Sequence, residues 1–374
     1  MTAGAHDGQN LRSRLLQALP DARVIARAPG RVNLVGEHTD YNGYGVLPFA
    51  IDKNVMVAIA PREGWDITLR SIDSETYSTT RIPIEDIPIR RPQKHWSDYV
   101  MAALRSFTPR HGLEMVIAGE VPTAAGLSSS SALVVASMLA LHQTDDRLQL
   151  ADWARQEERY VGVLSGGMDQ AASLLSEPGH ALAIDFRPLR FEAVPMPEDL
   201  AVLVINSGIK AEKGGPARNL YNERVMECST AARQLGAPVG GLLADVPFEQ
   251  QVELDRIQDP VLRRRAGFVY AEAERRDAAV AAMKIDDIET LGNILSASHA
   301  GLRDDYEVSL PLIDELVDQT CKAGALGARI VGAGFGGCIV AVTRKNRIES
   351  IREQLGQTVM EFTPSAGAER IELS

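Results

Sequence analysis

Three short stretches of the sequence concentrate side chains that can do chemistry. The first, residues 31–51 (RVNLVGEHTDYNGYGVLPFAI), sets Arg31, Asn33, Glu37, His38, Thr39, Asp40, Tyr41 and Asn42 among glycines at 30, 36, 43 and 45. Polar groups this dense between apolar runs make poor core. Together they offer both donors and acceptors, which a hydroxyl-rich ligand requires. A hydrogen-bonded turn capped by Asp40 and Asn42 accounts for part of the segment, but does not need Arg, Glu, His and Asp together. The second stretch, residues 121–135, reads VPTAAGLSSSSALVV. Its small residues permit a tight turn, and the apolar run that follows is a helix in the making. A helix start carries unpaired N–H groups and partial positive charge, so it can hold phosphate. Serine hydroxyls there can contact phosphate or ligate Mg²⁺. An ordinary serine-capped buried helix fits the same letters, and this stretch alone leaves both readings open. The third is Ser165-Gly166-Gly167-Met168-Asp169-Gln170. Two glycines bring backbone close to a neighbour and an acid follows, unless Asp169 simply caps a helix.

The elements that must position these stretches follow from periodicity and punctuation. Helices are expected over 11–19, 96–104, 132–141 and 150–163, the last carrying Glu157 and Glu158. Strands are expected over 24–27, 55–60, 67–71 and 114–118, with 55–60 and 67–71 in a meander. After a strand over 180–185, Pro188, Pro195 and Pro197 mark a domain boundary, dividing the chain into 1–190 and 191–374. The second half holds a strand at 201–205, helices over 221–235, 260–283, 288–297 and 311–323, and a polar, non-repetitive segment at 298–306. Near the end, strands at 328–331 and 339–342 flank the loop GAGFGGC, residues 332–338. A dinucleotide loop runs strand, glycines, helix. Here a strand follows, so the loop is a tight hairpin or a backbone platform against a ligand or the other domain.

Composition narrows the field. The 374 residues, 45% hydrophobic, suffice for two domains with substantial cores. Fifty acidic against 39 basic residues give a net charge of −11, which argues against a nucleic-acid partner. The one compact basic run, Arg263-Arg264-Arg265, lies near Asp259, Glu272 and Glu274 and reads as a solvated helix face. Cys228, Cys321 and Cys338 have no metal-like spacing and an odd count, as free thiols do. No apolar run beside the serine loop is long enough to span a bilayer, and residues 1–19 look like a surface helix rather than a signal peptide. A cytoplasmic protein is expected.

The polar segment, the serine loop and the glycine loop, in that order, resemble the family of small-molecule kinases that includes galactokinase, homoserine kinase, mevalonate kinase and phosphomevalonate kinase. The resemblance covers nearly the whole chain. GRVNLVGEHTDYNGYGVLPFAI is similar to the sugar-binding signature of the galactokinase branch, and SGGMDQ and SHAGLRDDYEVS fit that branch too. The resemblance implies an α+β fold of two domains. The first is a ribosomal-S5-domain-2-like α/β domain with a left-handed crossover; the second is ferredoxin-like, with the active site in the cleft between them. It implies ATP-dependent phosphorylation of galactose at the anomeric hydroxyl, giving galactose 1-phosphate and ADP. Glu37, His38 and Asp40 would bind sugar hydroxyls, Gly167 would approach the ring through its backbone, and Tyr221 would close the sugar site. Asp169 would be the catalytic acid/base group with Arg31 as its cationic partner. Gly126, Leu127, Ser128, Ser129, Ser130 and Ser131 would cradle the ATP phosphates, and Ser130 and Glu157 would hold Mg²⁺. A monomer is expected, acting on a small sugar and ATP with neither nucleic acid nor membrane as partner.

The chemistry is coherent apart from the resemblance. Phosphoryl transfer demands charge neutralisation and in-line positioning rather than covalent chemistry. A helix start, Mg²⁺ and Arg31 supply positive potential where a P-loop lysine is missing. Two features pull at the assignment. Ala124 stands where galactokinases usually carry glycine. SSSSALV, SGGMDQ in place of CGIMDQ, and RVMEC (residues 224–228) lean toward the N-acetylgalactosamine kinase sub-branch, while Tyr221 leans back toward galactose. A non-catalytic sugar sensor is the reading from another class. Such a protein is expected to lose part of the serine loop or the acid, and this chain keeps Arg31, the serines and Asp169.

Overall fold

The structure, a computed structural model, describes residues 7–73, 79–123, 125–209, 216–356 and 359–373. In chain order the elements are α1 (Asp7–Ala18), β1 (Val24–Asn33), β2 (Pro48–Pro61), β3 (Asp66–Ser71), β4 (Thr80–Pro83), α2 (Ser97–Ser106), β5 (Leu113–Gly119), α3 (Ser129–Leu141), α4 (Arg147–Glu158), α5 (Met168–Leu175), β6 (His180–Phe186), β7 (Leu189–Pro195) and β8 (Leu200–Asn206). They continue with α6 (Pro216–Gln234), α7 (Phe248–Gln251), α8 (Pro260–Lys284), α9 (Ile288–Asp304), α10 (Pro311–Lys322), β9 (Gly327–Ile330), β10 (Cys338–Arg344), α11 (Ile348–Leu355), β11 (Val359–Phe362) and β12 (Glu369–Glu372).

The first sheet has the order β12-β1-β2-β5-β3-β4. Its pairs are antiparallel except β3–β5. Strands β2 and β3 are therefore not neighbours in a meander: β5 lies between them. A parallel neighbour needs a crossover connection, and β4 and α2 provide it. Helix α3 packs against β1 and β2 on one side and α2, α4 and α5 on the others. Its Ala, Val, Leu and Met residues are buried nearly all round, as befits a helix at the centre of a layer rather than on its surface. The opposite face of the sheet is closed by α1, whose Leu11 and Leu15, with Leu19 just beyond its end, share a core with Ile25, Met56 and Val116.

The second sheet, β11-β8-β10-β9, is antiparallel throughout. Strand β8 is apolar without alternation because both of its faces are covered. Leu203 and Ile205 face a core that includes Phe268, Leu316 and Ile339, while Val202 and Val204 join the core that runs on into the first sheet. This is the expected α+β class, with one apolar cluster running across both sheets. The division at 190/191 does not follow the chain's path in space. β7 pairs with β6, and the final strand β12 returns to cover the open edge of β1. An uncovered edge would leave a row of backbone groups unpaired.

Two further readings change. Residues 298–304 are the last turns of α9, with Ser298 and His299 buried. Arg265 is not solvated: it is buried and donates to Glu227 and Glu307, while Arg263 and Arg264 are half-buried and paired with Asp255 and Glu307. All three cysteines are free. Among the described residues no helix is long and apolar enough to cross a membrane.

Candidate active site

β1 is longer than its apolar start suggests, and its last residues carry the first site group. Its register against β2 shifts between Pro29 and Arg31, and such bulges re-aim side chains. There the Arg31 N–H donates to the Leu127 carbonyl at 3.1 Å. A side chain on Gly30 would sit 2.7 Å from that same oxygen, so glycine is what lets the strand lie against the serine loop. Arg31 Nη1 donates to the Gly126 carbonyl at 2.6 Å. Its Nε and Nη2 both lie 2.7 Å from Asp169 Oδ1. Burial works against the Arg31 charge, but the adjacent Asp169 and Glu37 carboxylates outweigh it and raise its pKa.

Asp169 lies in the first turn of α5, where the helix dipole favours an anion. The residue that caps α5 is Gly167, at φ +118°, not Asp169. This frees the carboxylate for Arg31 and for the serine loop. Ser128 Oγ donates to Asp169 Oδ2 at 2.5 Å, and Ser131 Oγ does so at 3.3 Å. Ser128 itself holds a left-handed backbone at φ +59° immediately before α3. Strain of this kind persists where the surroundings fix it, often at a working site.

The polar segment forms the next wall. Glu37 Oε1 accepts from Arg329 Nη1 at 3.1 Å and from the Gly332 N–H at 2.8 Å. His38, at φ +63°, is buried, with Nδ1 2.9 Å from Tyr41 Oη. Burial pushes its pKa down to about 4, so the imidazole is neutral at pH 7. Asp40 is pushed up to about 6 by burial and then by the nearby Asp169 charge, and the Met168 N–H reaches its Oδ2 at 3.4 Å. Tyr221, from α6, brings its ring centroid within 5.7 Å of His38 and 5.5 Å of Tyr41.

These groups share a cleft of about 460 Å³. Arg31, Glu37, His38, Asp40, Asp169 and Tyr221 all line it, as do Gly126, Leu127, Ser128, Ser129 and Ser130. Apolar side chains also line it, among them Val55, Trp96, Tyr99, Ile117 and Leu133. The loop after β9 is both of the things expected of it. It turns the β9–β10 hairpin, and a side chain on Gly332 would meet the Gly126 carbonyl at 3.2 Å. The platform therefore rests on the serine loop.

Three predicted residues stand elsewhere. Gly167 is not in the cleft wall; its bare Cα makes room for Arg155, whose Cδ would lie 2.9 Å from a Cβ there. Ser131 points inward, to Glu158 Oε1 at 2.8 Å as well as to Asp169. Glu157 turns away from the cleft, its carboxylate 3.6 Å from Arg105 Nε. It is the adjacent Glu158 that is buried beside the serine loop, also accepting from Gln170. One step along a helix rotates a side chain by roughly 100°, which separates these neighbours. Ser130 and Glu157 thus do not converge as a Mg²⁺ pair. Among the described residues no group of three or more His, Cys, Asp or Glu could hold a metal. Ala124 falls outside the described residues.

Arg329 went unnoticed in the sequence although it is the one charge in the apolar run 328–331. It is fully buried and also donates to the Asn33, Leu34 and Ile330 carbonyls. Glu272, another buried acid, accepts from the Gly36 N–H at 3.0 Å and from Ser298 Oγ at 2.7 Å. Both side chains reach from the second half of the chain to hold the polar segment in shape.

Known proteins with related sequences and folds bear on what this cleft is. Residues 16–61 match the galactokinase galactose-binding signature, residues 98–177 the GHMP kinases N-terminal domain and residues 278–361 the GHMP kinases C-terminal domain. A galactokinase of Roseiflexus sp. is 41% identical over 355 residues, covering 91% of this chain and 88% of the relative. A galactokinase of Actinobacillus succinogenes is 36% identical over 349 residues, covering 88% of each. The crystal structure of Lactococcus lactis galactokinase complexed with galactose superposes with a TM-score of 0.86 at 29% identity, covering 98% of this chain and all of that one. Mevalonate kinase of Methanococcus jannaschii shares the fold, with a TM-score of 0.66 at 17% identity over 92% of this chain and 99% of its own. With identity above one third over nearly nine-tenths of its length, and its own polar segment inside the matched signature, the chain belongs to the galactokinase family.

Proposed function

We infer that this protein transfers the γ-phosphoryl group of ATP to the anomeric hydroxyl of galactose, giving galactose 1-phosphate and ADP. The observation that carries the reading is the placement of Asp169. It sits where the polar segment and the serine loop meet, held by Arg31 on one oxygen and Ser128 on the other. A sugar against Glu37, His38 and Asp40 would present a hydroxyl to Asp169 Oδ2, taking the position Ser128 Oγ holds at 2.5 Å. Asp169 then orients that hydroxyl and accepts its proton, a contribution of typically about 10²- to 10⁴-fold. Arg31 keeps its charge beside the carboxylate and faces the negative charge spread over the moving phosphoryl oxygens. The released Ser128 hydroxyl and the N–H groups at the start of α3 are free to meet phosphate oxygens.

Mg²⁺ accompanies ATP in such a reaction and neutralises phosphate charge when bound. Ser130 faces the cleft and could reach such an ion, while Glu157 is engaged with Arg105. Gly167 supports the sugar side by starting α5 at the position that brings the Met168 N–H to Asp40. We take the protein to work as a monomer in the cytoplasm.

The test is ADP release from ATP and Mg²⁺ across galactose, N-acetylgalactosamine, glucose, arabinose and mevalonate. Galactose should stimulate turnover most. Preference for N-acetylgalactosamine would move the substrate to the 2-acetamido sugar. Tight galactose binding without ADP release would make the protein a sensor, and turnover of mevalonate alone would overturn the sugar assignment.

A further inference from the structure

His38 has one ring nitrogen satisfied by the fold and one left open. Nε2 is buried, makes no hydrogen bond and belongs to a residue of the cleft wall. Nδ1 is 2.9 Å from Tyr41 Oη, which is 2.7 Å from Tyr306 Oη, which in turn is 3.1 Å from Cys228 Sγ. These four groups come from three distant parts of the chain: the polar segment, α6 and the turn after α9. All four residues are buried. The geometry around them is fixed. Asn42 Nδ2 donates to the His38 carbonyl at 2.8 Å and holds its left-handed backbone, and the Tyr306 ring centroid lies 4.8 Å from the imidazole.

In such a line each hydroxyl donates in one direction, so the whole line has two orders. An imidazole nitrogen is a good acceptor and a thiol sulfur a weak one. The favoured order therefore ends on nitrogen: Cys228 S–H donates to Tyr306, Tyr306 O–H to Tyr41, and Tyr41 O–H to His38 Nδ1. Cys228 has a proton to give, since burial pushes its thiol up to about 11. The neutral imidazole has a single ring proton to place.

We propose that Tyr306 is a positioning residue for the sugar. Acting through Tyr41, it keeps His38 Nδ1 an acceptor, so the ring proton stays on Nε2, the nitrogen the fold leaves unpaired, and is available to a sugar hydroxyl oxygen that seats against His38. Tyr306 touches no substrate itself. The role rests on the sugar-site reading above, but the tautomer does not.

The experiment joins ¹⁵N spectra of the imidazoles in the ligand-free protein with steady-state kinetics. In the wild type, His38 should carry its proton on Nε2. Tyr306→Phe keeps the ring and removes the hydroxyl. It should mix the His38 tautomers and raise the KM for galactose about 3- to 10-fold, with kcat and the KM for ATP within about 2-fold. Cys228→Ala should shift the tautomer in the same direction, and Cys228→Ser, which restores a donor, should bring it back. A role in packing alone would lower stability in Tyr306→Phe without moving the tautomer. A wild-type proton on Nδ1, or an unchanged tautomer in Tyr306→Phe, overturns the proposal. Absence of galactose turnover in the wild type would instead remove the sugar, while the spectrum of the free protein still decides the tautomer.

Discussion

Arg329 Nη1 lies 3.1 Å from Glu37 Oε1, and neither side chain is exposed to solvent by more than 3%. The pair joins the second sheet to the polar segment of the cleft wall. The same guanidinium donates to the Leu34 carbonyl at 2.7 Å and to the Asn33 carbonyl. The polar segment is therefore held by a strand from the far end of the chain.

Removing one partner of a buried pair leaves an uncompensated charge, which costs about 3 to 5 kcal/mol. Arg329→Met should lose that much in urea unfolding, and Arg329→Met combined with Glu37→Gln should recover part of it. A stability within about 1 kcal/mol of wild type for Arg329→Met would mean that the pair does not hold the segment.

Asp169→Asn keeps the size of the side chain and removes the proton acceptor. Turnover should fall by about 10²- to 10⁴-fold, while galactose binding measured by calorimetry stays within a few-fold. A near-normal kcat would take Asp169 out of the chemistry.

Asp40 and His38 give opposite pH dependences in one window. Asp40 has a folded pKa of about 6 against 3.8, so between these values the native state holds more protons and stability falls as pH rises. His38 has a folded pKa of about 4 against 6.5, so there the unfolded state holds more protons and stability is lost as pH falls. Each shift corresponds to about 3 kcal/mol, and the two nearly cancel. Asp40→Asn removes one side of the balance. The variant should be more stable than wild type at pH 7, by about 1 to 3 kcal/mol, and should lose stability more steeply between pH 6.5 and 4. Urea midpoints at pH 7 and pH 5 check both statements, and a variant no more stable than wild type at pH 7 would contradict them. In the wild type, kcat/KM for galactose should drop below about pH 6 as Asp40 takes up its proton.

Gly166 has no room for a side chain: a Cβ would sit 2.4 Å from the Asp40 carbonyl carbon and the Tyr41 nitrogen. These are backbone atoms and cannot swing aside. Gly166→Ala should separate the start of α5 from the polar segment, lowering kcat/KM for galactose at least about 100-fold if the packed chain survives. An active variant with wild-type KM would show that the two segments need not touch.

The residues that gather in the cleft were legible in the chain itself. Arg31, Glu37, His38, Asp40 and Asp169 are dense polar residues between apolar runs, and such residues are costly in a core unless they are used. The serine run before an apolar helix marked its own helix start, and β-branched residues after the glycine loop ruled out a dinucleotide turn. Periodicity also placed most helices, because burial of one face is written locally. What the sequence did not carry was which neighbour a residue meets. Glu157 and Glu158 are adjacent carboxylates on one helix, and only the packing of α4 turns Glu158 to Ser131 and Glu157 to Arg105. Arg329 lies in an apolar strand with nothing local to announce a partner nearly three hundred residues away. The return of β12 to β1 and the insertion of β5 beside β3 are pairings between distant strands. Strand edges look alike in sequence, and only the assembled sheets determine which edge is left to be covered.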